Sequence, residues 1–392
     1  MQNLYERIVT MNLAESLAIL KNKIDNLSIN EDKGHLDHPE DLIFLQGSSG
    51  ASRAVQATVA TAQNPKTVTI KWDGYPALIF GRDSAGKFSI MDKHMFNKKD
   101  GTGRAIYSPE QFTQYDVARG VNRSELSTII ANIWSGLEKS SKGAKGYYWG
   151  DLLFSQPLKD QNGLYVFKAN PNGITYKVDA TSDIGRLMTG KLAGIAVHQY
   201  IDPNSPSTDY AKSLDGTIGQ LKNNSNVAIV PSAMPTAPKI KIDNAQLKRA
   251  QTAIAKYGPA VDQMMDNAPQ ARNTFNQLFT VYINKKIVAG DLNNLLDGFM
   301  AFVQSRPMTD KMKDKIVDYL QANKAGLVGA FTIWVELYKL KMSIVTQLNK
   351  AAEVSPVKGY LQDGTETHEG FVSNGLKFID RMGFSRQNLS GR

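Results

Sequence analysis

Apolar positions recur along the chain with two different periods, and the switches between them divide it into parts. Residues 3–24 place Leu4, Ile8, Met11, Leu17 and Leu20 roughly on one side of a helix, and residues 54–62 repeat that spacing in a shorter one. Between them lies the polar stretch His35-Leu36-Asp37-His38-Pro39-Glu40-Asp41. From 67 to 99 the period becomes that of strands. Residues 67–70, 77–80 and 87–90 are β-prone runs, and Asp83-Ser84-Ala85-Gly86 supplies a turn. They predict an antiparallel meander with Lys71-Trp72-Asp73-Gly74 at the end of its first strand. Residues 109–139 return to helix, and strands follow at 147–154, 164–167, 175–178 and 193–197. Pro, Ser, Asn and Thr crowd residues 202–239, which reads as a linker or a long surface excursion.

Helical spacing then runs through 244–350. Breaks near Gly258, Pro269, Gly290, Pro307 and Gly326 predict five or six helices. On the last, Ile333, Leu337, Leu340, Ile344 and Leu348 form one stripe and Leu327, Phe331, Trp334 and Tyr338 another, so both sides pack. The final segment is a hairpin, with Asn374-Gly375 between two apolar runs.

Composition adds two constraints. The 392 residues include no cysteine, which excludes disulfides, thiolate catalysis, Cys-ligated zinc and iron–sulfur clusters and suits a reducing cytoplasm. Basic residues outnumber acidic ones 46 to 37, and residues 241–350 hold 15 basic against 9 acidic. The helical block is therefore the expected docking surface for a nucleic acid. Residues 326–348 are the most apolar stretch, but Glu336, Lys339 and Lys341 would be costly in lipid, so no membrane partner is expected.

The residues that carry chemistry are Lys71-Trp72-Asp73-Gly74, then Trp149-Gly150-Asp151, then Glu369-Gly370-Phe371-Val372 and Lys377. Their order, each on a predicted strand, resembles the covalent nucleotidyltransferase superfamily of DNA ligases, RNA ligases and mRNA-capping enzymes. Residues 38–44 and 71–77 are similar to RNA-ligase-like proteins of large tailed phages. The resemblance implies that Lys71 is nucleotidylated by ATP, that Glu369 helps hold Mg²⁺ and that Lys377 contacts the α-phosphate. Asp73, Gly74 and Asp151 would line the nucleotide, Phe167 or Tyr165 would stack on the purine, and Arg82 or Lys93 would meet ribose or phosphate. Lys98-Lys99 would form a phosphate-facing loop. Two positions depart from the family: Asp151 replaces a customary glutamate, and Pro76 stands where an arginine is frequent.

The chemistry accounts for the residue types. An amine attacks phosphorus only when neutral, and a free lysine titrates near about 10.4. Burial beside a second cation favours the neutral form, and Lys377 is the candidate neighbour. Gly74 would let backbone approach the nucleotide. Other readings stay open for single residues. Lys377 alternates with Leu376 and Phe378 as an outward-facing edge lysine would, Asp151 suits the polar end of an aromatic strand, and Glu369 suits a surface hairpin. His35, Asp37 and His38 read as a capped turn beside Pro39, His94 and His198 as structural, and His368 as a neighbour of the metal residue.

The expected fold is α+β. An antiparallel-sheet nucleotidyltransferase domain, residues 66–240 with 354–392, receives an inserted basic all-α domain, residues 241–353, and a helical segment, 1–65, packs on the catalytic domain. Eleven residues follow Arg381, too few for the oligonucleotide-binding barrel of DNA ligases and capping enzymes. The expected activity is ATP-dependent polynucleotide ligation, on RNA before DNA, through a lysyl-AMP. Two alternatives stay open: an inactive ligase-fold protein that binds nucleic acid or belongs to a virion, and a GTP-dependent capping guanylyltransferase.

Overall fold

The computed structural model describes residues 36–98, 101–169, 173–208, 217–232, 239–269, 272–361, 363–367 and 370–385. The helix expected at 3–24 lies outside them. In chain order the longer elements are α1 (Leu42–Gln63), β1 (Thr69–Ile70), β2 (Ala77–Arg82), β3 (Phe88–Met91), α2 (Lys93–Phe96), α3 (Pro109–Ala118) and α4 (Ser124–Ser140). Then come β4 (Gly146–Phe154), β5 (Asp160–Gln161), β6 (Leu164–Lys168), β7 (Thr175–Asp179), α5 (Asp183–Met188), β8 (Ala193–Ile201) and β9 (Val227–Val230). The helical block is α6 (Asn244–Asp266), α7 (Arg272–Ala289), α8 (Leu295–Gln304), α9 (Asp310–Ala322) and α10 (Lys324–Ala352). The chain closes with β10 (Val357–Tyr360), β11 (Glu366–Thr367), β12 (Phe371–Ser373) and β13 (Leu376–Phe378).

The strands make three sheets, ordered β3-β2-β4-β8-β9, β11-β10-β7-β6-β5 and β1-β12-β13. All pairings are antiparallel except β8 with β9. The mixed α+β class and the antiparallel sheets are thus as expected, but the meander is not. β1 leaves β2 and β3 and pairs with β12, because Trp72 drops into the core and residues 71–76 turn the chain away from β2. β9 was hidden in the polar stretch 202–239, where Val227–Val230 is a short apolar run, fully buried and too brief to show a period.

The predicted break at Gly258 falls inside a continuous helix, whereas the break near Gly326 is found at Asn323, between α9 and α10. α6 continues past Gly258, and α10 contains Gly326 and Gly329. A Cβ at Gly326 would fall 2.5 Å from the Ala260 carbonyl oxygen, and one at Gly329 would fall 2.7 Å from Tyr257 Cβ. These glycines let α6 and α10 approach closely, which is worth more than the helix propensity they cost.

The apolar core divides in a way the domain boundaries did not anticipate. α1 shares one cluster with α6–α10, and so do Phe371, Leu376 and Phe378 of the terminal hairpin. Residues 42–63, expected to pack on the catalytic domain, thus share the core of the helical block and the terminal hairpin. The first five-stranded sheet with α3 and α4 buries a second cluster, and the other five-stranded sheet buries a third around Trp72, Phe167 and Tyr176. No helix among the described residues is long and apolar enough to cross a membrane.

Candidate active site

β1 is only two residues long, yet it fixes Lys71. Thr69 faces Val372 and Ile70 faces Phe371, and the ladder continues when the Lys71 N–H donates to the Gly370 carbonyl at 3.1 Å. In the hairpin, Val372 faces Lys377. Side chains alternate along each strand and cross-strand partners share a face. Phe371 and Phe378 therefore point into the helical core, whereas Thr69, Lys71, Val372 and Lys377 lie on the opposite face. The turn is the expected one, with Asn374 at φ 51° and Gly375 at φ 70°. Burial, and then the Lys71 ammonium, push the Lys377 amine below its ordinary pKa, with Asp37 partly opposing.

The next residues are pinned one by one. Trp72 is buried against Tyr176, ring centroids 4.9 Å apart. The Asp73 N–H donates to the Tyr176 hydroxyl at 2.7 Å. A Cβ on Gly74 would fall 2.6 Å from Asp151 Cβ and 2.7 Å from the Leu152 carbonyl oxygen, so only glycine fits against β4. β2 then starts with Ala77 opposite Asp151. The Lys71 loop is thereby brought to Asp151.

Around Asp151 the structure adds His198, which sequence reasoning had set aside, and brings in Lys93, which it had nominated. His198 occupies an irregularity in the β4–β8 ladder, and its Nε2 lies 3.7 Å from Asp151 Oδ1. Its ring is 5.5 Å from that of Trp149, over which Lys93 holds its ammonium at 5.3 Å. Trp149 Nε1 is buried with no hydrogen-bond partner. A donor left bare in such a place, beside Lys93 and the Asp151–His198 pair, fits an anionic ligand with acceptor oxygens.

Other nominated residues are not brought together. Arg82 ends β2 opposite Gly146, and its guanidinium donates to the carbonyls of Ser141, Gly86 and Glu138. It caps the end of α4, since carbonyls there have no helical partner. Phe167 is a core aromatic, 8% exposed and packed on Phe154 and Tyr176, and the Tyr165 hydroxyl meets Thr189. Lys98 Nζ donates to Thr102 at 2.9 Å and sits over Tyr115. Glu369, with His35, Lys99 and His368, lies outside the described residues. Among the described residues no group of three or more His, Asp or Glu side chains is close enough to hold a metal ion. Asp73 and Asp151 are the carboxylates at hand, and Mg²⁺ commonly takes one or two carboxylates with substrate phosphates.

The stretch read as a capped turn supports the site from behind. Lys377 N–H donates to the Asp37 carbonyl at 2.9 Å, so residues 36–38 flank β13. Next along, Glu40 and Asp41 are buried and meet Lys341 and Arg381. Lys341 Nζ lies 2.6 Å from Glu40 Oε1, and Arg381 Nη1 lies 2.8 Å from Asp41 Oδ1. Trp334 Nε1 also donates to Asp41, at 2.8 Å. Burial lowers the Lys341 pKa; it also opposes the Arg381 charge, which Asp41 and Glu40 more than restore. Two acids against two bases close the charge balance, so one terminus of the described chain is tied to the other under the Lys377 strand.

A family model described as a family of unknown function, DUF6267, matches residues 31–392. No curated protein matches the chain, and no solved structure matches it.

Proposed function

We propose that this chain, which belongs to the DUF6267 family of unknown function, is an ATP-dependent polynucleotide ligase acting through a lysyl-AMP, with RNA ends as the preferred substrate. One observation carries the reading. Lys71 and Lys377 come from distant parts of the sequence to one face of a three-stranded sheet, where burial and the neighbouring cation depress the Lys377 amine. Paired cations facing away from the apolar core suit a phosphate chain, and the repulsion that helps depress Lys377 acts between it and Lys71, the proposed nucleophile.

In the first step the Lys71 Nζ lone pair attacks the α-phosphorus of ATP. The bond to the bridging oxygen breaks, pyrophosphate leaves, and the amine proton passes to solvent. Lys377 then faces the α-phosphate charge, and Lys93 with Trp149 Nε1 offers donors to further oxygens. AMP passes from Lys71 to a terminal 5′-phosphate, and a 3′-hydroxyl displaces it with formation of the phosphodiester. Mg²⁺, when bound through Asp73, Asp151 or Glu369, supplies charge neutralisation on the triphosphate.

A second reading, a nucleic-acid-binding protein that keeps the fold without turnover, is favoured by Pro76 at the arginine position and by Arg82 being committed to α4. Incubation with α-labelled ATP or GTP and Mg²⁺, followed by denaturing electrophoresis, separates these. Wild type freed of bound AMP should label with ATP only, and Lys71→Ala should lose the label entirely. No label with either nucleotide favours the binding protein, label with GTP favours capping, and label that persists in Lys71→Ala identifies another nucleophile.

A further inference from the structure

Beside the Lys71 loop lies an open cleft of about 810 Å³ that the chemistry above does not use. Tyr75, Gln156, Lys159, Gln161, Phe167 and Lys168 contribute to its lining, and none of the described lining residues is acidic. Tyr75 is 64% exposed, and among the described residues it is the one aromatic side chain that combines large apolar area with such exposure. Its backbone is fixed, because its N–H is shared between the Leu152 and Ala169 carbonyls at 3.0 and 3.2 Å. It lies four positions after Lys71, so the two α-carbons lie within about 14 Å of each other.

A solvent-facing ring on a fixed backbone leaves its face open and forfeits its burial. Ring and lysines together form the kind of platform that holds unpaired nucleotides: phosphates track the cations and a base stacks on the ring. A duplex keeps its base faces covered and has none to offer. The volume falls in the range of about 300–1,000 Å³ typical of small-ligand pockets, which suits nucleotides. We propose that this cleft takes the unpaired end of a single-stranded polynucleotide, one base stacked on Tyr75 and its phosphates on Lys159 and Lys168. The assignment rests on the ligase reading for the strand's purpose, which is to present its end to Lys71.

The test is fluorescence anisotropy of the full chain with a labelled oligouridine of about ten nucleotides, without ATP. Tyr75→Ala should weaken binding about 5- to 150-fold, and Tyr75→Phe should stay near wild type. The double variant Lys159→Ala, Lys168→Ala should lower the slope of log affinity against log salt by about 1.4. A blunt duplex and inorganic polyphosphate should compete poorly. Variants that bind like wild type would overturn the assignment, as would competitors as effective as the single strand. Self-labelling of the wild type is read separately. An unlabelled wild type that still binds through Tyr75 removes the ligase and keeps the cleft, whereas a labelled one indifferent to Tyr75 does the reverse.

Discussion

His38 sits among three cations with its ring Nδ1 buried and unpartnered. Burial, then Arg381, Lys341 and Lys377, hold its pKa well below the ordinary value, against a hydrogen bond with the Lys377 backbone. The folded state therefore keeps the ring neutral, while the unfolded chain protonates it near about pH 6.5. Below that pH the unfolded state binds a proton that the folded state refuses, so stability falls as pH drops, by at most about 1.4 kcal/mol per pH unit. Above about pH 6.5 the contribution is complete and constant. Urea midpoints taken from about pH 7 to about pH 5 should fall more steeply for wild type than for His38→Asn. Parallel curves would mean that the ring does not carry this pH dependence.

At the scale of elements, the ion network joins α10 to the start of α1 and to Arg381. Lys341 is wholly buried with Glu40. Removing one partner strands a buried charge, at a cost of about 3–5 kcal/mol. Lys341→Met should therefore lower the urea midpoint sharply, and Lys341→Met with Glu40→Leu should recover much of the loss; a single variant as stable as wild type would contradict the pairing. The sequence showed Lys341 only as a charge inside an apolar helix, because its partners are distant along the chain and leave no periodic trace. The same limit hid the close approach of α10 to α6 at Gly326 and Gly329, which shows only once the helices pack. What could be read locally was right: the Asn374-Gly375 turn, the strands carrying Asp151 and Phe167, and the continuous helical character of 244–350. Motif order anticipated which residues meet at the candidate site, with Gly74 against Asp151 and the Lys71 strand beside the hairpin of Lys377. The site was not legible at His198 or Trp149, which meet Asp151 only through strand pairing and a ladder irregularity.

Taken whole, the molecule gives the helical block a structural task in the site. The two five-stranded sheets bury clusters of their own, but Phe371, Leu376 and Phe378 complete the helical cluster. Each such side chain contributes about 1.5–3 kcal/mol by burial, and together they amount to a large share of the about 5–15 kcal/mol that holds a domain folded. The hairpin bearing Lys377 thus depends on helices expected to be a separable attachment. Replacing residues 241–353 with a flexible linker should leave the β2–β4–β8 sheet protected in hydrogen exchange. Protection should be lost across residues 370–378, and with it the self-labelling of Lys71, because β1 would have no partner strand. Were the shortened chain to label as fast as the full one, the helices would be an accessory after all and the hairpin would have another source of order. Loss of protection at 370–378 with β2, β4 and β8 intact would instead locate the effect in the packing between hairpin and helices rather than in general unfolding.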